Sequence, residues 1–442
     1  MCRDDGGGDL MRDEESTTTR PSHTPVPPSS SSDQEPPLAQ NDSGRGVPGG
    51  PAKKAARLIG VDATRGLALL GMMAVHALWA YDENGEVTWT FALAAGRSAA
   101  TFALLAGVGI AFMTRRRRVE RGDRRAVAAS LAARAGVIGA IGFLLGGTDA
   151  ALATVIFVYY AVLFGLAIPA VFLSTRVLVA LGATIAVVAP VLSHLVRPPL
   201  PEPADGNISL AQLLQDPLGL LAQVTLTGLY PALPWMAYVC IGIALGRMQL
   251  SSREVAMRLF AVGSALAAGA WVLSSVLLGP LGGRAQLYAA AAGSGLSRTD
   301  VDDILIWGGD GTTPTDTWWW LATVAPHTTT PLDLAHTTGV AMAVLGGLLL
   351  LARRYGNVLA PLAAAGSMTL TLYTAHVLFM NSPWDVFEAT TGYFLQVLAA
   401  VGFAVAWRAA VGRGPLEAVA ADAARAARQA AVRHQRPSEA SS

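Results

Sequence analysis

Apolar residues recur along the chain in ten stretches that are separated by short polar segments. A helix needs roughly 20 predominantly apolar residues to cross the hydrocarbon core of a bilayer. The pattern therefore predicts an all-α, polytopic membrane protein with about ten transmembrane helices. The predicted spans are residues 58–80, 90–113, 126–147, 150–173, 177–196, 219–247, 257–279, 334–352, 358–380 and 390–411.

The basic residues between these spans predict the orientation of the chain. Lysines and arginines precede the first span and follow every even-numbered span, whereas the segments on the other side are neutral or acidic. Because short loops rich in Lys and Arg stay in the cytoplasm, both termini are expected to be cytoplasmic. The residues that carry this signal are Lys53, Lys54, Arg57, Arg115, Arg116, Arg117, Arg118, Arg121, Arg124, Arg125, Arg176, Arg247, Arg253, Arg258, Arg353, Arg354, Arg408, Arg413, Arg425 and Arg428.

The same pattern divides the chain into three parts. Residues 1–55 are rich in Ser, Thr, Pro, Gly and Asp. They are expected to form a disordered tail, because they can bury too little apolar surface to offset the entropy of ordering. Residues 56–414 form the predicted membrane domain, with a long outer loop at about 280–333. Residues 415–442 form a basic cytoplasmic tail, and its helical part could lie along anionic lipid or be solvated.

The composition is that of a membrane protein. Of the 442 residues, 52% are hydrophobic and 14% are charged, whereas a soluble domain carries about 25% charged residues. We expect a multi-pass protein of the cell membrane, in contact with membrane lipid and without a nucleic-acid partner; a homo-oligomer is compatible with the sequence. The two cysteines, Cys2 in the tail and Cys240 in an apolar stretch, predict neither a disulfide nor a metal site, and no metal is expected.

The first span carries three ionisable residues, Asp62, Arg65 and His76. At about 100° per residue, the step from Arg65 to His76 comes within about 20° of three full turns, and Asp62 lies near the same line. Arg65 and His76 are then about 16 Å apart along the helix axis. Ionisable residues inside a membrane helix usually face the protein interior and serve a function. Alternatively, Asp62 and Arg65 are interfacial charges and His76 is the wet outer end of the helix.

The ninth span has a polar stripe of its own. Thr369, Tyr373 and His376 are spaced i, i+4, i+7 and therefore share one face of a helix. The predicted direction of this span places His376 at a depth similar to that of His76. The two histidines could form one site, since a histidine with an ordinary pKa near 6.5 suits general-base catalysis. The alternative is that His376 only makes a hydrogen bond between helices.

The sixth span contains the sequence YPALPW, Tyr230–Trp235. Proline removes a backbone donor and kinks a helix, and a membrane tolerates this only where the freed carbonyls find partners or line a cavity. A break in the sixth span is therefore expected, with either a functional or a packing role.

Two features of the predicted outer side could contact a substrate. Arg97, near the outer end of the second span, could pair with an acidic group or an anionic substrate, or could extend its side chain to the surface. The loop at 280–333 contains Trp318, Trp319 and Trp320 beside several aspartates. Tryptophan with carboxylates can bind sugars, but adjacent tryptophans before a span more often form an aromatic belt at the membrane interface, and we favour the belt.

Several motifs resemble one superfamily. VDATRGLALLGM, residues 61–72, resembles the opening helix of the transmembrane acyltransferase superfamily. That superfamily includes the heparan-α-glucosaminide N-acetyltransferase catalytic domain, the acyltransferase-3 proteins and the YeiB-like domain-of-unknown-function family 418. TFALLAGVGIAFM is similar to its second helix, and YPALPWMAYVCIGIALGR resembles a helix of the heparan acetyltransferase-like group. LTLYTAH and residues 412–417 resemble closing signatures of the YeiB-like family, so the resemblance extends from about residue 57 to 417.

The resemblance implies an acyl transfer across the membrane. Acetyl-CoA in the cytoplasm would donate the acyl group, and a glycan or cell-envelope component on the outer side would accept it. His76 would be the catalytic base or transient acyl carrier, assisted by His376 and Tyr373. Asp62, Arg65 and Arg97 would bind the donor.

The chain departs from the heparan enzyme at the histidine. That enzyme has Asn near the position of His76 and its catalytic histidine in the following loop, whereas this sequence has no histidine between Trp79 and Phe102. The base is therefore expected to be His76 or His376. A small-molecule or lipid transporter and a non-catalytic membrane protein are the alternatives, because buried charges can also line a transport pathway.

Overall fold

The computed structural model describes residues 58–309 and 311–433, and every regular element among them is helical. The all-α prediction is thus confirmed for this part of the chain. The predicted disordered tail, residues 1–55, lies outside the described residues, as do Lys53, Lys54 and Arg57. The α-helices are α1 Ile59–Ala77, α2 Trp89–Ala94, α3 Arg97–Met113, α4 Arg124–Leu144, α5 Phe157–Ala170, α6 Thr175–Val196, α7 Leu210–Gln215, α8 Pro217–Ala222, α9 Ala232–Gly246, α10 Arg253–Leu278, α11 Gly283–Ser294, α12 Arg298–Trp307, α13 Pro331–Ala365, α14 Thr369–Met380, α15 Ala389–Ala410 and α16 Pro415–Arg433.

Six helical segments within residues 58–309 and 311–433 are long and apolar enough to cross a membrane, or seven if a bent pair is counted as one span. The six are Trp89–Met113, Arg121–Leu144, Thr175–Val196, Arg253–Leu278, Pro331–Ala365 and Ala389–Ala410. The α1 helix carries the ionisable stripe, and α5 and α14 are shorter apolar helices. The count of ten spans and the cytoplasmic position of both termini stay predictions.

The predicted break between the eighth and ninth spans coincides with a kink in the structure. The sequence predicted this break at residues 353–357, and Tyr355, whose φ of −119° and ψ of 33° are not helical, joins two helical parts of α13 there. The predicted ninth span, residues 358–380, is itself interrupted at 366–368, and α14 begins at Thr369. This second interruption was not predicted, because residues 366–368 contain neither a proline nor a charge.

The end of α13 packs closely against α1 at Gly366. A Cβ atom at this position would overlap the carbonyl oxygen of Asp62, and one at Gly66 would overlap the carbonyl oxygen of Leu362. Small residues let helix backbones approach this closely in a membrane. The close approach at Gly366 brings the start of α14 against the first helix.

We expect Gly366→Ala to lower the thermal stability of the purified protein, by about 1–3 kcal/mol of unfolding free energy, because the methyl group overpacks this contact. Gly402→Ala is the matched control, since Gly402 lies within α15 and a Cβ there meets nothing within 4 Å. Melting of both variants in the same detergent measures the difference. Equal melting temperatures would show that the α1 contact is not tight.

The predicted break in the sixth span is confirmed. The first half, Pro217–Thr227, ends in a π-helical turn at Gln223–Thr227, and the second half, Ala232–Gly246, is bent from it by 50°. Such π-helical turns are rare and frequently lie at functional sites. Tyr230 lies in the break, is buried, and makes an edge-on contact with His327 at 5.5 Å between ring centroids.

The predicted outer loop folds into a small helical unit with its own core. The core packs Leu287, Val301 and the fully buried Trp320, whose indole N–H donates to Asp316 at 2.7 Å. Trp318, in contrast, is 53% exposed. The interpretation of the adjacent tryptophans as an interfacial belt was therefore wrong for Trp320, because a neighbouring carboxylate satisfies its indole and lets the ring be buried.

The C-terminal helix α16 packs on the rest of the chain. Ala420 and Ala424 are buried, and the helix lies against α4 and α14. Glu417 caps α14 by accepting hydrogen bonds from the backbone N–H of Leu370 and from the N–H and hydroxyl of Thr371. The alanine face of α16 is therefore covered by protein, and contact of its basic face with lipid or with water stays a prediction.

Candidate active site

His76 and His376 meet in the structure, as their predicted depths suggested. His76 Nδ1 lies 3.2 Å from His376 Nε2, and the two rings stack with centroids 5.4 Å apart and an interplanar angle of 6°. His376 is 3% exposed and His76 is half-buried. The end of α1 and the middle of α14 therefore place two imidazoles in one hydrogen-bonded pair.

A chain of hydrogen bonds sets the protonation of this pair. The amide nitrogen of Gln396 donates to the thioether of Met380, which can only accept, so the amide oxygen faces His376 Nδ1 at 2.7 Å. Nδ1 of His376 then carries a proton, and its Nε2 accepts from Nδ1–H of His76. This arrangement leaves the Nε2 lone pair of His76 available, which is the form that a general base requires.

Gln396 thus positions the histidine pair. This role was not predicted from the sequence, because a single glutamine in an apolar span forms no pattern with other polar residues. We expect Gln396→Leu to lower the turnover of the reaction proposed below about tenfold, with little change in KM, because the histidine pair loses its fixed tautomer. The pH profile of turnover should shift as well, which loss of packing alone would not cause. Gln396→Glu restores an acceptor and should recover activity; failure to recover would contradict the positioning role.

Tyr373 lies beside the pair, but its hydroxyl is already used. Its ring centroid is 6.1 Å from that of His76 and 6.3 Å from that of His376. The hydroxyl donates to the carbonyl of Thr154 at 2.7 Å, and the ring packs edge-on against Phe157. The geometry therefore makes Tyr373 a wall of the site that holds α14 against the segment before α5.

At the other end of α1, Asp62 and Arg65 form an ion pair with 3.4 Å between Oδ1 and Nη1. Arg65 also donates from Nη2 to the carbonyl of Leu105 on α3, at 3.3 Å. The carboxylate side chain is only 5% exposed, whereas the arginine side chain is 23% exposed. Asp62 thus holds the guanidinium in place, and Arg65 is the member of the pair that faces open space.

That space is a cavity of about 340 Å³, here called the inner cavity. It extends along α1 from Arg65 to Met72, which is one turn before His76. Its lining residues are Arg65, Met72, Phe102, Ala106, Gly109, Phe112, Met113, Arg134, Ile138, Ile156, Phe157, Tyr160, Phe164, Gly366, Ser367, Thr369, Leu370, Tyr373 and Glu417. Polar side chains line the end of the cavity at Arg65, and mostly apolar side chains line the rest as far as Tyr373. The cavity therefore connects the Asp62–Arg65 ion pair to the side of Tyr373 that lies by the histidines.

Arg134 and Glu417 also line this cavity, and neither was predicted from the sequence to contribute to a binding site. Arg134 lies in the middle of α4, and its Nε is buried with no hydrogen-bond partner among the described residues. An arginine inside an apolar span is a signal that could have been used, because such a charge is costly in lipid. Glu417 belongs to the segment 412–417 that resembles a closing family signature, but only the packing of α16 brings it to the cavity.

Arg97 does not join Arg65, which corrects the expectation that both bind the donor. The α3 helix runs antiparallel to α1, so that Ser98 lies beside Gly71 while Leu105 lies beside Arg65. Arg97, the first residue of α3, is therefore at the His76 end. There it lines a second cavity of about 500 Å³, here called the outer cavity.

The segment before α13 adds a third histidine near the pair. His327 and Thr329 have positive φ values of 55° and 52°, which non-glycine residues adopt rarely. Burial, with a smaller contribution from Arg97, lowers the pKa of His327 to about 4, so the ring is neutral at pH 7. The His327 Nδ1 and Asp333 Oδ1 atoms are buried without hydrogen-bond partners among the described residues. A strained loop with unsatisfied polar atoms is typical of a binding site.

Comparison with known proteins supports the resemblance found in the motifs. Residues 57–275 match the family model described as heparan-alpha-glucosaminide N-acetyltransferase, catalytic, so the match covers about half of the chain, including Arg65, His76 and Arg134 but not α14. None of the curated proteins compared with the chain matches it. No group of three or more His, Cys, Asp and Glu within residues 58–309 and 311–433 could hold a metal ion. Over residues 57–275, the chain belongs to the heparan-alpha-glucosaminide N-acetyltransferase-like superfamily.

Proposed function

We propose that this protein is a membrane acetyltransferase that moves an acetyl group from cytoplasmic acetyl-CoA to an acceptor on the outer side, such as a glycan or cell-envelope component. The observation that carries the proposal is the inner cavity, which connects a pair of arginines to the wall of a histidine site. The family match supports membrane acetyl transfer as the reaction class. The donor, the acceptor and the direction of transfer are part of the proposal.

The donor matches the lining of the inner cavity, which has arginines at one end and apolar side chains beyond them. Arg65 and Arg134 would bind the phosphates of CoA, because a guanidinium offers several donors in a planar fork that matches phosphate oxygens. The buried Nε of Arg134, which lacks a partner among the described residues, would gain one from the ligand. The apolar side chains between Arg65 and Met72 would hold the pantetheine arm and lead the thioester toward His76.

The acceptor would be activated by His76. Its Nε2 takes the proton of the acceptor's hydroxyl or amine as the acceptor attacks the acetyl carbonyl carbon. A carbon–oxygen or carbon–nitrogen bond forms, the carbon–sulfur bond breaks, and the proton passes to the leaving thiolate. If His76 instead carries the acetyl group transiently, a carbon–nitrogen bond to its ring forms as the carbon–sulfur bond breaks. That bond then breaks as the acceptor attacks, and the acceptor's proton passes to the ring nitrogen. Base catalysis of this kind contributes about 10²–10⁴-fold in rate.

The test is transfer of label from acetyl-CoA that is labelled in its acetyl group, using the purified full chain in lipid vesicles. A glycan that ends in an α-glucosaminide is the first acceptor to try, because the matching family is described by that substrate. Label on the acceptor, with one CoA thiol released for each acetyl group, supports the proposal. Movement of an unmodified solute across the vesicle, with no thiol release, would support the transporter alternative instead.

The same assay separates the two roles of His76. With donor but no acceptor present, a transient carrier leaves label on the protein, whereas a base does not. Label that remains on protein with His76 replaced by alanine would exclude this histidine as the carrier.

A further inference from the structure

The outer cavity has the construction of an anion site. Its six defining residues are Arg97, Trp271, Ser274, Ser275, Leu278 and Arg284, contributed by α3, α10 and α11. Two arginines line it, and no aspartate or glutamate is among the described residues that do so. Ser274 is only 3% exposed, so its hydroxyl lies deep in the wall. A cavity of about 500 Å³ with this lining is large enough for a phosphate group together with its substituents.

The guanidinium of Arg97 keeps donors for a ligand. Its Nη1 donates to the carbonyl of Ala95 at 2.9 Å, and it forms no ion pair within the described part of the chain. The buried Asp333 carboxylate also acts on Arg97 electrostatically. Since an arginine has five N–H donors, most of its hydrogen-bonding capacity can be offered to the cavity.

Arg284 completes the pair of cations at the rim. Its Nη2 lies 3.2 Å from Asp302 Oδ1, and Tyr288 donates to the same oxygen at 2.6 Å. The side chain of Arg284 is 51% exposed. The shared carboxylate therefore orients the guanidinium without burying it, and a phosphate could bind in its fork on the other side.

One wall of the outer cavity faces the predicted lipid. The α10 helix is a candidate membrane span of which little is buried. On it, Trp271, Val272 and Leu273 are 55%, 50% and 48% exposed. Trp271 belongs both to this apolar surface and to the cavity. A ligand with a charged head and apolar chains would satisfy both environments at once, with the head on the arginines and the chains along α10.

We infer that the outer cavity binds the phosphate headgroup of an anionic membrane lipid, with Arg97 and Arg284 as its ligands. This site is separate from the inner cavity and does not depend on acetyl transfer. A free phosphate ester shares the headgroup chemistry, but it would gain nothing from the apolar wall at Trp271.

The test uses the purified full chain in mild detergent, titrated with phosphatidylglycerol, phosphatidylcholine and glycerol 3-phosphate, with retained lipid counted by native mass spectrometry. We expect phosphatidylglycerol to bind at least about tenfold more tightly than either other probe. Arg284→Gln should weaken its binding about tenfold, and Arg97→Gln should do the same. Arg353→Gln is the matched control, because Arg353 is an exposed arginine that donates to the carbonyl of Ser251 on another part of the chain.

Three outcomes would overturn the inference: equal binding of glycerol 3-phosphate and phosphatidylglycerol, equal binding of the two lipids, or lipid binding that both arginine variants retain. Arg284 is exposed, so its variant should fold even if Arg97→Gln does not. Ser274→Leu adds a second test, because it fills the cavity and leaves both charges in place. It should also reduce retention of phosphatidylglycerol, whereas unchanged retention would place the lipid elsewhere on the surface.

Discussion

Replacing His76 with alanine should reduce acetyl transfer about 10²–10⁴-fold while leaving the protein inserted and folded. The hydrogen-bond chain from Met380 through Gln396 and His376 leaves the lone pair on His76 Nε2, and the substitution removes that acceptor of the proton. The substitution also removes the partner of His376 Nε2, but the His376 side chain is buried, so we expect it to replace His76 only poorly. Turnover should fall much more than the affinity for the donor, since the arginines at the far end of α1 are unchanged.

His336→Ala is the matched control for this experiment. His336 also lies in a membrane helix and bonds to a backbone carbonyl, that of Ala267, but it lines neither cavity. We expect its transfer rate to stay within a few fold of the parent. Added imidazole should partly restore the His76→Ala variant, because a small base can occupy the space left by the side chain. Transfer at the parent rate by His76→Ala would remove this histidine from the mechanism.

Replacing Arg65 or Arg134 with alanine should weaken acetyl-CoA binding by about 10–100-fold for each arginine, because each charge-assisted hydrogen bond contributes about 1.5–3 kcal/mol. Both residues line the inner cavity at the end away from the histidines. Calorimetric titration of the detergent-purified protein with acetyl-CoA measures the change. Arg65→Lys should recover only part of the affinity, since an ammonium group cannot form the two parallel bonds of a guanidinium.

The donor itself supplies the control for this prediction. Acetyl-pantetheine has the thioester and the arm but lacks the nucleotide phosphates, so its weaker binding should not change when either arginine is replaced. If both variants bind acetyl-CoA as tightly as the parent, the donor does not use the inner cavity. If they weaken acetyl-pantetheine equally, the arginines act on the fold of the cavity and not on the phosphates.

Much of the fold follows from local signals. The length and composition of the apolar stretches predict helices, because a chain in lipid must satisfy its backbone hydrogen bonds within each segment. The Pro-rich sequence beside Tyr230 predicts the break in the sixth span, and proline's missing donor is sufficient to explain it. The similar depth of His76 and His376 was also predictable, because residue spacing within a helix and the alternating direction of successive spans fix depth along the membrane normal. Their contact requires in addition that α1 and α14 are neighbours.

Lateral arrangement, in contrast, depends on tertiary packing. Periodicity gives the depth of a side chain but not which helix lies beside it. The predicted depth of Arg97, near the outer end of the second span, agrees with the antiparallel packing of α1 and α3, whereas its predicted role beside Arg65 in donor binding does not. Glu417 reaches the inner cavity only because the alanine face of α16 packs on α4 and α14.

The sequence by itself therefore determined the helical class of this protein, the polar stripe of α1 and the similar depth of His76 and His376, because these depend on spacing along single helices. Only the tertiary structure decided that the two histidines touch, which charges share a cavity, where α13 ends, and that Trp320 is buried. Those properties depend on contacts between segments distant in the chain, such as Gly366 with Asp62 and Trp320 with Asp316, to which no local pattern is sensitive.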